Sequence, residues 1–535
     1  MSAPRSALSA ATSSGPMGTA ATLLFAFVLS LLLYLGGTAA IHLSGAHLVR
    51  TDYVSKPTSP PKIEISTRIF QRAYGDIHVR SEKSRGGPKP YVRTLAWLAL
   101  FAGSLVALRR VAPLRSGCAA LSGRLRRIHP LEGALFLGMS LWVLGKPGII
   151  DMLPLGQVIE GIREGVNFYT VSTLQGQAGA LPIFPYNPPA YFLLAVLSEA
   201  QGVLDSLGLG PAPRHGLLQW LLFVTYLGLA GLMTAIVQTL RLPLLQGRPL
   251  FYFILLNPLG LYYTLFLGQI DLIVIGLLMA GLHQLHVRKA WLPAFVLMLT
   301  GLCLAKPQHL LALPPIGLLG IALADRRAAG RHLAFMLALS ACCGLAYAAF
   351  SLAPGFYAAL DANPQTGRLA WSEWWALFGG AISINRPIGY AMIATLVLIY
   401  LMPERVRHAE TPVALGALGM GIIVACFQAS FAHTFGLAIF LFPAVIILAT
   451  SSHSLLKACL LSLFSVGLLA TWGLGLEGDF TMAFDPSGSD LGTLTESRLA
   501  GIPYTSVVHS IETAAYLGFA ALCALQLARF GRGAD

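Results

Sequence analysis

Apolar stretches of about bilayer-spanning length recur along the whole chain, and no other feature limits its fold as much. The first, Thr19 to Ala40, contains no Asp, Glu, Lys or Arg. About 20 apolar residues span the hydrocarbon core as a helix, and a helix satisfies its own backbone groups where no water can. Comparable runs lie at 93–110, 131–149, 216–240, 249–266, 269–286, 290–305, 308–324, 333–352, 387–402, 411–428, 435–450, 455–474 and 508–528. The expected fold is all-α and polytopic: an integral membrane protein with about 14 transmembrane helices and further helices lying on its outer face. Composition agrees. Only 11% of residues are charged and 56% are hydrophobic, whereas a soluble domain carries about 25% charge. The first run is too long for a signal-peptide core and lacks a small-residue cleavage site, so it reads as a retained anchor.

The net charge of +13 belongs to loops that face anionic lipid, not to a nucleic-acid surface. Six arginines between Arg109 and Arg127, then Arg241–Arg248, Val287-Arg288-Lys289, Asp325–Arg331, Arg405 with Arg407, and the tail at Arg529 and Arg532 mark the cytoplasmic side. These fall on alternate loops only if 188–206 stays at the outer surface as an interfacial helix. The basic loop 43–92 runs against this scheme, at a length where charge no longer steers insertion. The chain divides into an N-terminal two-helix extension with that loop (1–130), a transmembrane core (131–450) and C-terminal helices with an outer loop (451–535). The seven cysteines are scattered through apolar runs without a CxxC pair, so neither a disulfide framework nor a metal site is expected.

The polar complexity gathers in the outer loops 150–215, 353–386, 429–434 and 475–507. Asp151 ends the third apolar run, where partial desolvation would make it a stronger base; a plain solvated loop carboxylate is the other reading. "GQVIEGIREGVNFYT" (156–170) repeats Val158, Ile159, Ile162 and Val166 at helical spacing and reads as an amphipathic surface helix. "PYNPPAYF" (185–192) places Tyr186 and Asn187 before two prolines that pre-set the start of a helix. Gly268-Gln269-Ile270-Asp271 opens an apolar helix; its carboxylate either complements the helix dipole or marks a functional site. Lys306, in "LAKPQHLL" (304–311), is either an interfacial snorkeller or a phosphate ligand. Arg386 and His433 are further outer cations. No nucleotide-binding loop, nucleophile elbow or HExxH occurs.

Taken together, these motifs resemble GT-C type glycosyltransferases, and in particular glycosyltransferase family 87, the polyprenol-phosphate-mannose-dependent mannosyltransferases. The features that carry the resemblance, across roughly 130–450, are an Asp after an early helix, G-x-x-x-Y at Gly165 and Tyr169, Tyr186-Asn187-Pro188-Pro189, "LNP" followed by "GQID", Lys306-Pro307, and His433 in a short outer loop. The resemblance implies a GT-C-like fold, a catalytic base at Asp151, and substrate contacts at Tyr169, Tyr186, Asn187, Gln269, Asp271, Lys306, Arg386 and His433. It implies a lipid-phosphate sugar as donor substrate, a lipid- or glycan-linked acceptor, surrounding membrane lipids and no nucleic acid as partners, with no metal ligand assigned and a divalent metal compatible with the reaction. Lys306, Arg386 and His433 would hold the departing phosphate, Asn187 and Asp271 the sugar hydroxyls, and Tyr169 and Tyr186 would stack on sugar or line a lipid groove. Location in a bacterial inner membrane, with the chemistry on the extracytoplasmic face, follows from the same resemblance. Two extra helices and a basic loop before the core leave Asp52 and Asp76 as other acids for the base, and Met152-Leu153-Pro154 departs from the family pattern close after Asp151. A lipid-linked glycan flippase and a surface polysaccharide ligase are the competing functions.

Overall fold

The computed structural model describes residues 19–46, 90–125, 129–145, 186–208, 216–239, 248–256, 270–286, 288–306, 326–353 and 355–361. It also describes isolated positions at 155–156, 158–159, 162, 167–169, 172–173, 309–310 and 313, and short strands within 51–81 and 498–503. The chain is a helical membrane protein. Its described helices are α1 (Thr19–Ala46), α2 (Pro90–Arg110), α3 (Ala112–Leu125), α4 (Pro130–Gly145), α5 (Pro188–Ser206), α6 (Gly216–Thr239), α7 (Arg248–Leu255), α8 (Asp271–His286), α9 (Trp291–Leu304), α10 (Arg326–Ala349) and α11 (Phe356–Asp361). Among the described residues, three stretches are long and apolar enough to cross a bilayer: Thr19–Ala40, Gly216–Ala235 and Gly330–Leu352.

Short strands accompany the helices in two places. Part of loop 43–92 forms a small sheet in the order β1-β4-β2-β3, from β1 (Thr51–Val54), β2 (Ile63–Glu64), β3 (Gln71–Arg72) and β4 (His78–Ser81). β1 and β4 pair antiparallel from Thr51↔Ser81 to Val54↔His78. A second two-stranded ribbon joins β5 (Arg498–Leu499) and β6 (Ile502–Pro503). Two expectations shift. Within the arginine-rich stretch 109–127, read as a loop, Arg109 and Arg110 end α2 and Ala112–Leu125 forms α3, whose first turn accommodates Pro113 because no backbone donor is needed there. The run at 249–266 is helical only over Arg248–Leu255 among the described residues. The expected spans at 308–324 (isolated positions apart) and beyond 387 lie outside the described residues, as do the loops at 362–386 and 429–434.

Polar side chains in the apolar helices turn back on their own backbone. The hydroxyls of Ser30, Thr38, Thr225, Thr234 and Thr300 donate to carbonyls three or four residues earlier, so no hydroxyl among these five presents an unmade bond to lipid. α4 begins with a reciprocal cap. The His129 N–H donates to Glu132 Oε2 at 3.0 Å, and the Leu131 N–H donates to His129 Nδ1 at 3.3 Å. The Tyr252 hydroxyl reaches Glu132 Oε1 at 2.9 Å and ties α7 to the same point.

The buried core centres on the antiparallel pair α8 and α9. Leu272, Ile275, Leu278, Leu282 and Leu285 face Ala294, Met298 and Leu302. Small residues let the backbones approach. A Cβ on Gly281 would lie 2.5 Å from Met298 Cγ, and one on Gly301 would lie 3.2 Å from Leu277 Cβ. α5 lies against α1 and α9, burying Ala190, Tyr191, Leu194, Ala195, Leu197, Ser198 and Gln201 along one stripe. Its span is the one expected for the surface helix 188–206.

Candidate functional site

The hairpin of α8 and α9 has two unlike ends. Its closed end is the basic connection Arg288-Lys289. There the Arg288 N–H donates to the His283 carbonyl, the Ala290 N–H to the Gln284 carbonyl, and Lys289 adopts φ 55°. Its open end brings Asp271, first residue of α8, beside Lys306, two residues past α9. Trp291 packs on His332 and Phe335, while the Cys303 carbonyl and the Tyr347 hydroxyl share one partner. α10 therefore runs parallel to α9, and its basic start at Arg326, Arg327 and Arg331 lies at the closed end. Every described cationic loop on these helices is thus opposite the Asp271–Lys306 end.

Asp271 is 1% exposed, with an ammonium beside one oxygen and an imidazole nitrogen beside the other. Lys306 Nζ donates to Oδ2 at 3.2 Å, and His309 Nε2 lies 2.8 Å from Oδ1. His309 Nδ1 faces the Lys306 backbone, 3.1 Å from its nitrogen and 3.0 Å from its carbonyl oxygen. The Lys306 ammonium sits 5.0 Å from the centroid of the Tyr186 ring, within reach of a cation–π attraction. Its side chain retains 22% exposure, the most open of the three charged or titratable groups.

The stretch around Tyr186 holds this end together. Asn187 occupies the N-cap position of α5 yet makes no side-chain cap to it. Pro188 and Pro189 lack N–H groups, and the N–H groups of Ala190 and Tyr191 already reach the Asn187 carbonyl. The Asn187 amide is therefore released for other partners. Its Nδ2 donates to the Cys303 carbonyl at 3.0 Å and contacts the Tyr347 hydroxyl at 2.7 Å. Its backbone N–H donates to the Ala305 carbonyl at 2.6 Å. The Tyr169 hydroxyl donates to the Tyr186 carbonyl at 3.0 Å, and its ring meets Tyr191 and Phe356. Burial, with the Tyr191 phenol nearby, pushes the Tyr169 phenol well above its ordinary range, so it stays a neutral donor.

Five residues singled out from sequence thus converge: Tyr169, Tyr186, Asn187, Asp271 and Lys306. Their expected tasks need revision. Asn187 (0% exposed) and Asp271 (1%) have no surface to offer a sugar hydroxyl, and Tyr169 and Tyr186 are also buried. Four of the five frame the fifth. Asp151, Gln269, Arg386 and His433 lie outside the described residues, as does Gly165. His309 and Tyr347 were given no role from sequence. His309 stands in the Lys306-Pro307-Gln308-His309 string, one tight turn from the lysine, and that spacing was the available signal. Among the described residues no group of three His, Cys, Asp or Glu side chains is arranged to hold a metal ion. The chain matches no protein-family model, no curated protein and no solved structure.

Proposed function

We propose that this protein is a GT-C-like membrane glycosyltransferase. It would move a mannose-like hexose from a polyprenyl-phosphate sugar to a lipid- or glycan-linked acceptor, with inversion, on the extracytoplasmic face. The observation that carries the reading is the placement of Lys306. A partly exposed ammonium is held by a buried carboxylate and an aromatic face, at the end of the bundle opposite the described basic loops. By the positive-inside rule those loops are cytoplasmic, which puts the ammonium at the outer surface. A lipid phosphate brought there from the bilayer needs a fixed cation as its negative charge develops on leaving. The proposal includes the full complement of about 14 spans and an inner-membrane location in a bacterial cell.

In this reading the acceptor hydroxyl is deprotonated by Asp151 as it attacks the anomeric carbon from the side opposite the phosphate. The C1–O bond to the lipid phosphate breaks as the new glycosidic bond forms, and the lipid monophosphate departs toward Lys306. Asp271 and His309 act through Lys306 and do not contact substrate. The test is transfer of radiolabelled mannose from a synthetic polyprenyl-phosphate mannose by the purified full chain in nanodiscs. Wild type should turn over, and Asp151→Asn should lose about a thousandfold, within the range for removal of a general base. Full activity in Asp151→Asn would move the base to Asp52 or Asp76. Absence of turnover with any lipid-phosphate sugar would favour the flippase reading.

A further inference from the structure

The last carbonyls of a helix have no partner within it and must find one elsewhere when buried. At the C-terminal end of α9 the Cys303 and Ala305 carbonyls are capped by Asn187, a residue 116 positions away from Cys303. The cap comes from the start of α5 and depends on the proline pair, which leaves the Asn187 amide nothing to do in its own helix. The residues on either side of this junction are those that frame the cation. Lys306 follows Ala305 directly, and Tyr186, whose ring faces the Lys306 ammonium, precedes Asn187 directly. The Tyr347 hydroxyl on the same amide brings in α10.

We infer that Asn187 is a positioning residue: by capping α9 from a neighbouring helix it fixes where Lys306 presents its ammonium to a lipid monophosphate. This rests on the reading that Lys306 meets such a phosphate. Asn187 itself touches no substrate. It sets the end of α9 and the Tyr186 ring in one register, so that the ammonium is held from below by Asp271 and flanked by the ring.

The test uses farnesyl phosphate, a short prenyl monophosphate, as probe, and equilibrium binding to the full chain in nanodiscs. Lys306→Gln should abolish measurable binding. Asn187→Asp, which turns a donor into an acceptor facing the Cys303 carbonyl, should weaken binding about tenfold, the equivalent of one buried hydrogen bond. Asn187→Ser keeps a hydroxyl donor and should recover most of that loss. Tyr226→Phe removes a buried bond to the Ile254 carbonyl that involves none of Asn187, Tyr186 and Lys306; it should lower the melting temperature and leave affinity unchanged. Should Asn187→Asp fail to fold, Tyr347→Phe keeps the Cys303 bond and should weaken binding about threefold. Wild-type affinity in folded Asn187→Asp, or in Tyr347→Phe where that variant stands in, would overturn the inference. So would an equal loss in Tyr226→Phe. Loss in Lys306→Gln with none in Asn187→Asp would overturn it while leaving the lipid-phosphate reading intact. Asn187-dependent binding without any sugar transfer would support the inference and overturn the enzyme. Wild type that fails to bind farnesyl phosphate would overturn both.

Discussion

At the scale of single residues, the contact of buried Asp271 with partly exposed Lys306 is the one whose loss strands a charge. Removing one partner strands the other. Lys306→Met leaves a carboxylate that is 1% exposed with, among the described residues, His309 beside it, and should cost about 3 kcal/mol of stability, the lower end for a broken buried pair. Asp271→Asn should cost less, because the Lys306 side chain still reaches solvent. Combining the two should recover most of the larger loss, since no unpaired charge remains buried. Thermal unfolding of the four proteins in nanodiscs measures the coupling, and strictly additive losses would mean that the contact contributes nothing. His309→Gln, which keeps a donor for Asp271, should cost about 1 kcal/mol or less by the same measurement.

At the scale of elements, helix contacts here depend on absent side chains more than on large ones. Gly281→Ala puts a methyl 2.5 Å from Met298 Cγ. The buried methionine must shift near the root of its side chain, with the Ala294 carbonyl oxygen crowding the same site, and Gly281→Leu, which needs more room, should destabilise the α8–α9 pair by about 2 kcal/mol, the middle of the range for overpacking. The turn between the same helices holds Lys289 at φ 55°, a conformation that costs an L-residue about 1 kcal/mol and a glycine almost nothing. Lys289→Gly should therefore raise the melting temperature, unlike glycine substitutions within α8 or α9. A lower melting temperature for Lys289→Gly would show that its side chain, not its backbone, matters there.

At the scale of the whole molecule, the two ends of the bundle differ in charge, and that difference sets its orientation in the bilayer. Arg288 belongs to the basic end, whereas Leu352, 84% exposed after α10, belongs to the end that carries Lys306. In a cysteine-free background, Leu352→Cys in intact cells should react with a membrane-impermeant maleimide, and Arg288→Cys should react only after the membrane is opened. The reverse pattern would invert the topology and place Lys306 in the cytoplasm, which the proposed chemistry does not allow. α1 packs on α5, with Ala39 fully buried in the common core.

The sequence by itself determined the class and much of the helix layout. An apolar run longer than a bilayer is thick can fold in few ways, and periodicity and proline placement located α1, α5, α6, α8, α9 and α10 to within a few residues, α10 starting earliest of its expected bounds. It also marked Tyr169, Tyr186, Asn187, Asp271 and Lys306, because polar groups in such a chain are rare enough to stand out. Their partnerships were not legible. Nothing local to Asn187 says that its amide serves the end of α9, and its N-cap position argues for the opposite. Nothing local to Asp271 says that a lysine 35 residues on will claim one oxygen and a histidine the other. Those pairings depend on which helix ends meet, and helix ends meet through packing between faces distant in sequence: glycines against methionine and leucine, and α10 running parallel to α9. Local propensity carries no record of that packing, so only the tertiary structure could turn five isolated polar residues into one framed cation.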